Sequence, residues 1–169
     1  MDGSTMQRLR FSQSGLTWLW LALLLLVLDQ ASKLVALNLL EYARPVTLLP
    51  VFDLTLLFNK GAAFSFLADQ PGWQRWFFSS IAVAVGAYLL LWLSRTPKAE
   101  RRLNIALTMV LAGAIGNLID RLSYGHVVDF ISLHWQQYYY PAFNVADSTI
   151  TVGVVLLLWD AWVSGKQNL

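Results

Sequence analysis

Gly116-Asn117-Leu118-Ile119-Asp120-Arg121 ends one long apolar run, and Phe143-Asn144-Val145-Ala146-Asp147 begins another. Between them lie Gly125-His126-Val127-Val128-Asp129-Phe130 and an aromatic loop. This stretch decides the fold because it places two carboxylates, Asp129 and Asp147, at the mouths of hydrophobic segments. Bare acids are costly there, and an ionisable residue at membrane depth is a functional-site hypothesis by default.

The apolar runs on either side have the length a bilayer asks for. At 1.5 Å per residue, roughly 20 helical residues cross a hydrocarbon core about 30 Å thick. The pattern predicts four such spans, at about 16–38, 74–94, 103–120 and 143–163. Before the first lies a polar stretch, residues 1–13, which reads as a short disordered tail carrying Arg8 and Arg10. A positive tail before an apolar core also suits a cleaved signal peptide. The pattern instead runs on through Asp29-Gln30-Ala31-Ser32-Lys33 to about Leu40, which favours an uncleaved anchor. Trp73, Trp76, Phe77 and Phe78 open the second span, where aromatic rings settle at the interface. Gly113 and Gly116, on neighbouring turns of the third, read as close-packing positions between helices.

Composition agrees with a membrane protein. Of 169 residues 57% are hydrophobic and only 13% charged, against about 25% charged in an ordinary soluble domain, and the mean hydropathy is +0.52. A net charge of +2, with the basic residues gathered in short loops, reads as a topology signal and not as a nucleic-acid surface. The absence of cysteine excludes disulfides, thiolate catalysis and cysteine metal sites. Two histidines, His126 and His134, are too few for a histidine-rich metal site and read as interfacial residues. No metal or other cofactor is expected.

Two outer regions are not helical spans. In the region of about 43–68, Val46 to Leu49 and Asp53 to Phe58 are β-branched and apolar, with Pro50 between them. Asn59-Lys60-Gly61 is a turn signal, and Ala62 to Leu67 follows as a further extended run. These predict a small antiparallel sheet on the membrane surface, since a sheet edge cannot face lipid. The loop of about 123–141 holds an apolar-aromatic stretch, Val127 to Trp135, expected to form an interfacial helical segment. Tyr138, Tyr139 and Tyr140 suit an aromatic belt.

The expected fold is therefore a mainly α membrane protein in one polytopic domain over 1–169. It has four transmembrane helices, a small extracytoplasmic antiparallel β-sheet and an interfacial helical segment. Arg8, Arg10, Arg95, Lys98, Arg101, Arg102 and Lys166 lie on one side of the spans. The positive-inside rule then puts both termini in the cytoplasm, and the sheet, Asp129 and Asp147 on the outer side.

Two carboxylates held within a few ångströms cannot both ionise comfortably, so they share a proton. The ionised member takes a proton from water while the protonated one polarises a carbonyl, which is general acid–base hydrolysis. The helix dipole favours ionised Asp147 in the first turn of its helix, making it the expected base and Asp129 the acid. Asn117 shares a helix face with Asp120, and Asn144 with Asp147; capping and interhelical hydrogen bonding are the plainer roles for the two asparagines. Arg121 offers a planar fork for a carbonyl or carboxylate, or a local ion pair with Asp120. Asp29 and Lys33, four apart, share a face and suit a structural ion pair near the membrane surface. Asn59 and Gly61 either face the site or merely make a turn. Physics alone leaves an intramembrane aspartyl hydrolase and an ion-coupled carrier open, with a scaffold as a third possibility. The carrier expects acids near mid-membrane and repeated halves, and no repeat is visible.

Five blocks, in order, carry a resemblance: Asp29-Gln30-Ala31-Ser32-Lys33, Asn59-Lys60-Gly61-Ala62-Ala63-Phe64, Gly113 to Arg121, Gly125 to Phe130 and Phe143 to Ser148. The chain resembles the bacterial lipoprotein signal peptidases, or signal peptidase II, over nearly its whole length. The likeness implies an aspartic endopeptidase of the bacterial inner membrane, acting near its periplasmic face, and a monomer is expected. Its substrate would be a prolipoprotein carrying a diacylglyceryl group on a cysteine, cut just before that cysteine. It implies Asp129 and Asp147 as the catalytic pair, with Asn59, Gly61, Asn117, Asp120, Arg121, Asn144, Asp29 and Lys33 in support. Ala112-Gly113 stands where that family commonly has two glycines.

Overall fold

The computed structural model describes residues 10–61 and 71–167. Four long helices form the bundle: α1 (Leu19–Leu39), α2 (Trp73–Arg95), α3 (Arg101–Tyr124) and α4 (Val145–Gln167). Two short 3-10 turns, Phe11–Gln13 and Gly15–Trp18, lead into α1. Gly15–Leu39, Trp73–Arg95, Arg101–Tyr124 and Val145–Lys166 are each long and apolar enough to cross a membrane. These agree with the predicted spans except at their ends. The largest difference is at α3, which runs on through Arg121 to Tyr124 before Gly125 takes a left-handed φ of 80° and its N–H caps the Arg121 carbonyl. The start of the expected polar tail, residues 1–9, lies outside the described residues, whereas Phe11–Gln13 forms the first 3-10 turn.

Helix α3 is the centre of the bundle. In its most apolar stretch 56% of residues are buried, against 11% for α4. Leu89 and Leu93 of α2 close on Leu107 and Leu111 of α3 at the end away from the sheet. At the other end α3 meets α1 and α4 through small residues. A Cβ on Gly113 would collide with the Ala146 carbonyl and the Ile150 and Thr149 side chains of α4, and one on Gly116 with the Asp29 carboxylate of α1. Both glycines are thus close-packing positions, as expected. The outer faces of α1 and α4 leave Leu23, Leu24, Val155 and Leu158 exposed, as lipid contact requires.

The sheet has four strands in the order β1-β2-β3-β4, all antiparallel: β1 (Val46–Leu49), β2 (Phe52–Asn59), β3 (Val127–Trp135) and β4 (Tyr138–Tyr139). The first two strands are where the sequence put them. The expected third extended run, Ala62 to Leu67, lies outside the described residues. Val127 to Trp135 needs correcting: it is strand β3, not an interfacial helical segment. The structure shows why. The first four residues of β3 are buried on both faces, so the alternation that marks a half-exposed strand is absent. Its partner β2 is distant in sequence, with Leu57 opposite Asp129 and Asn59 opposite Val127. Phe143 then bridges to Ile131, which docks the start of α4 against the same strand.

Candidate active site

Asp129 comes from β3 and Asp147 from the first turn of α4, and Asn144 joins them. The Asn144 Nδ2 donates to Asp129 Oδ1 at 2.7 Å, while its main-chain N–H donates to Asp147 Oδ2 at 3.3 Å. Asn144 Oδ1 in turn accepts from the Asp147 N–H at 2.9 Å. This is a reciprocal capping arrangement, with the acid three residues after the cap closing back on it. Asn144 is fully buried. It therefore performs the plain capping role and also fixes both carboxylates.

Asn117 and Asn59 hold the far oxygens. Asn117 Nδ2 donates to Asp147 Oδ1 at 2.7 Å, and Asn59 Nδ2 donates to Asp129 Oδ2 at 3.2 Å. The Asn59 amide is oriented by its own turn, because its Oδ1 accepts the Gly61 N–H at 2.9 Å. Arg121 Nη2 then donates to the Gly61 carbonyl at 3.0 Å, and its guanidinium lies 5.4 Å from the centre of the Phe78 ring. The turn signal and the site are thus one feature: Asn59 and Gly61 both reach the acids' surroundings.

Behind the acids is a buried charge cluster. Lys33 Nζ lies 2.9 Å from Asp29 Oδ2 and 2.8 Å from Asp120 Oδ2, and it donates to Asn117 Oδ1 at 3.1 Å. Asp29 Oδ1 accepts the Ala146 N–H at 2.8 Å, at the start of α4. Asp120 Oδ2 also accepts the Val128 N–H at 3.1 Å, next to Asp129. One ammonium between two carboxylates, each with further donors, satisfies charges that burial would otherwise make prohibitive. The expected Asp29–Lys33 pair is present. The possible Asp120–Arg121 pair is not: Asp120 bonds to Lys33, and Arg121 turns to Gly61. Neighbouring residues on a helix do not face each other.

Asp129 is 2% exposed. Burial, and after it the nearby Asp147 charge, push its carboxyl up to about 7. Hydrogen bonds from Asn59 and Asn144, and the Lys33 charge, pull the other way without offsetting this. A carboxyl that still holds its proton near neutrality, linked by one asparagine to a second carboxyl, is equipped for general acid–base work.

Some participants are missing from the residues singled out by sequence. Gln30 Nε2 lies within hydrogen-bond reach of Asp29 Oδ2 (3.1 Å), the Gly116 carbonyl (3.3 Å) and Asp120 Oδ1 (3.0 Å). A polar amide inside an apolar span was the available signal. Tyr140 and Thr151 line the space beside Asp147; the sequence marks Tyr140 only as one of three aromatic-belt tyrosines and Thr151 not at all. His134 is more than an interfacial ring, since Nε2 lies 3.3 Å from the buried Asp53 Oδ2. It remains on the sheet, apart from the acids. Among the described residues no group of three or more His, Cys, Asp or Glu side chains could hold a metal ion.

A family model described as signal peptidase (SPase) II matches residues 21–163. The lipoprotein signal peptidase of Pseudomonas fluorescens (strain Pf0-1) is 56% identical over 155 residues, covering 90% of this chain and 91% of that protein. The protein of the same name from Pseudoalteromonas translucida (strain TAC 125) is 52% identical over 150 residues, covering 89% and 90%. A solved structure described as a bacterial membrane enzyme, obtained by the in meso method at 2.3 Å resolution, superposes with a TM-score of 0.79. It is 29% identical and is matched over 90% of each chain.

Proposed function

The chain belongs to the signal peptidase II family, and on that premise we propose that it is a membrane aspartic endopeptidase. It removes the signal peptide from diacylglyceryl-modified prolipoproteins, cutting just before the lipidated cysteine. The observation that carries the reading is Asn144, which ties Asp129 and Asp147 together through its side chain and its own main-chain N–H. A carrier's acids would be expected nearer mid-membrane; here one acid is on a strand and the other in the first turn of a helix.

Asp147, ionised, takes a proton from water as its oxygen attacks the scissile carbonyl. Asp129, protonated, donates to the carbonyl oxygen. When the tetrahedral species collapses, the proton on Asp147 passes to the leaving nitrogen and Asp129 regains its own. The products are a signal peptide ending in a carboxylate and a lipidated cysteine with a free amine. Asn117 and Asn59 position the acids, and Arg121 holds the Gly61 turn over them. Lys33, with Asp29 and Asp120, fixes Asn117 and the start of α4.

The same reading places the protein in the bacterial inner membrane as a single domain. Both termini are cytoplasmic and the acids lie near the periplasmic face, in accord with the distribution of lysine and arginine. The working unit in this reading is a monomer. The test is to offer the protein, in liposomes, a lipidated precursor and the same precursor without lipid. Cleavage of the first alone is expected; cleavage of neither, with proton movement instead, would replace the reading with a carrier.

A further inference from the structure

Two clefts converge on Asp147. The first, about 400 Å³, runs from Asn59, Asn117 and Arg121 down to Val85 and Val110. Val85 lies about 18 Å along α2 from Trp73 at 1.5 Å per residue, so this cleft descends well into the apolar layer. The second, about 350 Å³, lies between Leu133, Phe143, Ser148 and Val152. Val152 is only about 10 Å along α4 from its first residue, so this cleft is the shallower of the two. Tyr140 lines both. Its N–H donates to the Leu133 carbonyl at 2.8 Å. The Tyr140 ring meets Phe143 nearly edge-on, with centres 6.0 Å apart and planes at 82°, so the residue is held from two sides.

We propose that Tyr140 is a specificity-determining partition that keeps the two arms of the substrate in separate clefts. The inference rests on the peptidase reading above. The scissile bond has an apolar peptide segment on its acyl side and a lipidated cysteine on its amine side. The deep cleft fits the first, being polar around Asn59, Asn117, Arg121 and Asp147 and apolar below them at Ile81, Val85 and Val110. The shallow one fits the glyceryl group and the first methylenes of its acyl chains, whose remainder stays in the bilayer. Tyr140 stops either apolar arm from filling the other's space, so the bond between them has one position over the acids.

The test uses the full chain in nanodiscs and two product-like inhibitors of precursor cleavage. One is a signal-segment peptide ending before the cut; the other is a short peptide starting with S-diacylglyceryl cysteine. In the unaltered protein, saturation with either should change the inhibition constant of the other by less than about twofold. Tyr140→Ala joins the clefts, and each inhibitor should then weaken the other at least about fivefold; Tyr140→Phe, which keeps the ring, should behave as the unaltered protein. Mutual exclusion in the unaltered protein, or full independence in a folded Tyr140→Ala, would overturn the proposal. If Tyr140→Ala fails to fold, Tyr140→Leu is read by the same two outcomes. Absence of any cleavage of the lipidated precursor by the unaltered protein would instead sink the peptidase reading, a separate result.

Discussion

Lys33 Nζ lies 2.8 Å from Asp120 Oδ2 in the interior of the bundle, joining α1 to α3. The same ammonium bonds to Asp29 of its own helix and to Asn117. Lys33→Ala would leave two buried carboxylates without their cation. Breaking a buried pair from one side costs about 3–5 kcal/mol. The variant should therefore show a large drop in unfolding temperature in detergent. Adding Asp120→Asn, which removes one stranded charge, should recover part of it.

Asn144 separates capping from catalysis. Serine keeps an oxygen able to cap α4 but has no amide to donate to Asp129. The buried acceptors that the Asn144 amide serves, Asp129 and the Val128 carbonyl among them, then lose their donor at about 1–3 kcal/mol each. With the cap kept, Asn144→Ser should still fold, with a moderately lower unfolding temperature. Its turnover should nonetheless fall by about 10²-fold or more, on the scale of a lost acid–base contribution. Comparing unfolding temperature with single-turnover cleavage checks both halves.

Asp129 sets the pH response. Its folded pKa, about 7, lies above the unfolded value near 3.9. Between those values the folded state binds more protons than the unfolded one. The stabilisation from this group is therefore full below about pH 4 and is lost as pH rises through about 7. In the proposed mechanism Asp129 is the acid and must be protonated, so kcat/KM should decline through about pH 7. Asn59 stabilises the ionised form; Asn59→Ala should move that decline to higher pH, which a pH–rate profile would show.

Gly116 brings the α3 backbone close to Asp29 in the charge cluster. A Cβ there would sit 2.5 Å from Asp29 Oδ2, an atom that Lys33 already holds. Gly116→Ala should lower stability more than an alanine substitution in open helix surface. Thermal unfolding beside a lipid-facing control such as Leu158→Ala gives the comparison.

Much of this was legible in the residues themselves. Spans can be read because lipid demands long apolar runs, and Asp129 and Asp147 stand out because acids at such places need a reason. The strand at Val127–Trp135 was not legible: it is buried on both faces at its start and pairs with residues far earlier in the chain. Local sequence carries neither fact. The choice of Lys33 over Arg121 as partner for Asp120 likewise depends on which face of α3 meets α1. That is set by packing at Gly116 and by Gln30, which bridges the same acids. The reciprocal bond between Asn144 and Asp147 was accessible as a three-residue spacing, but its reach to Asp129 required the Phe143–Ile131 bridge.

The central claim is that Asp129 and Asp147 together hydrolyse the peptide bond. Asp129→Asn and Asp147→Asn keep size and shape while removing the titrating group. Single-turnover cleavage of a lipidated precursor in liposomes by each purified variant tests it most directly. The account predicts no detectable product from either, with unfolding temperatures close to that of the unaltered protein. Normal turnover by either folded variant would contradict it.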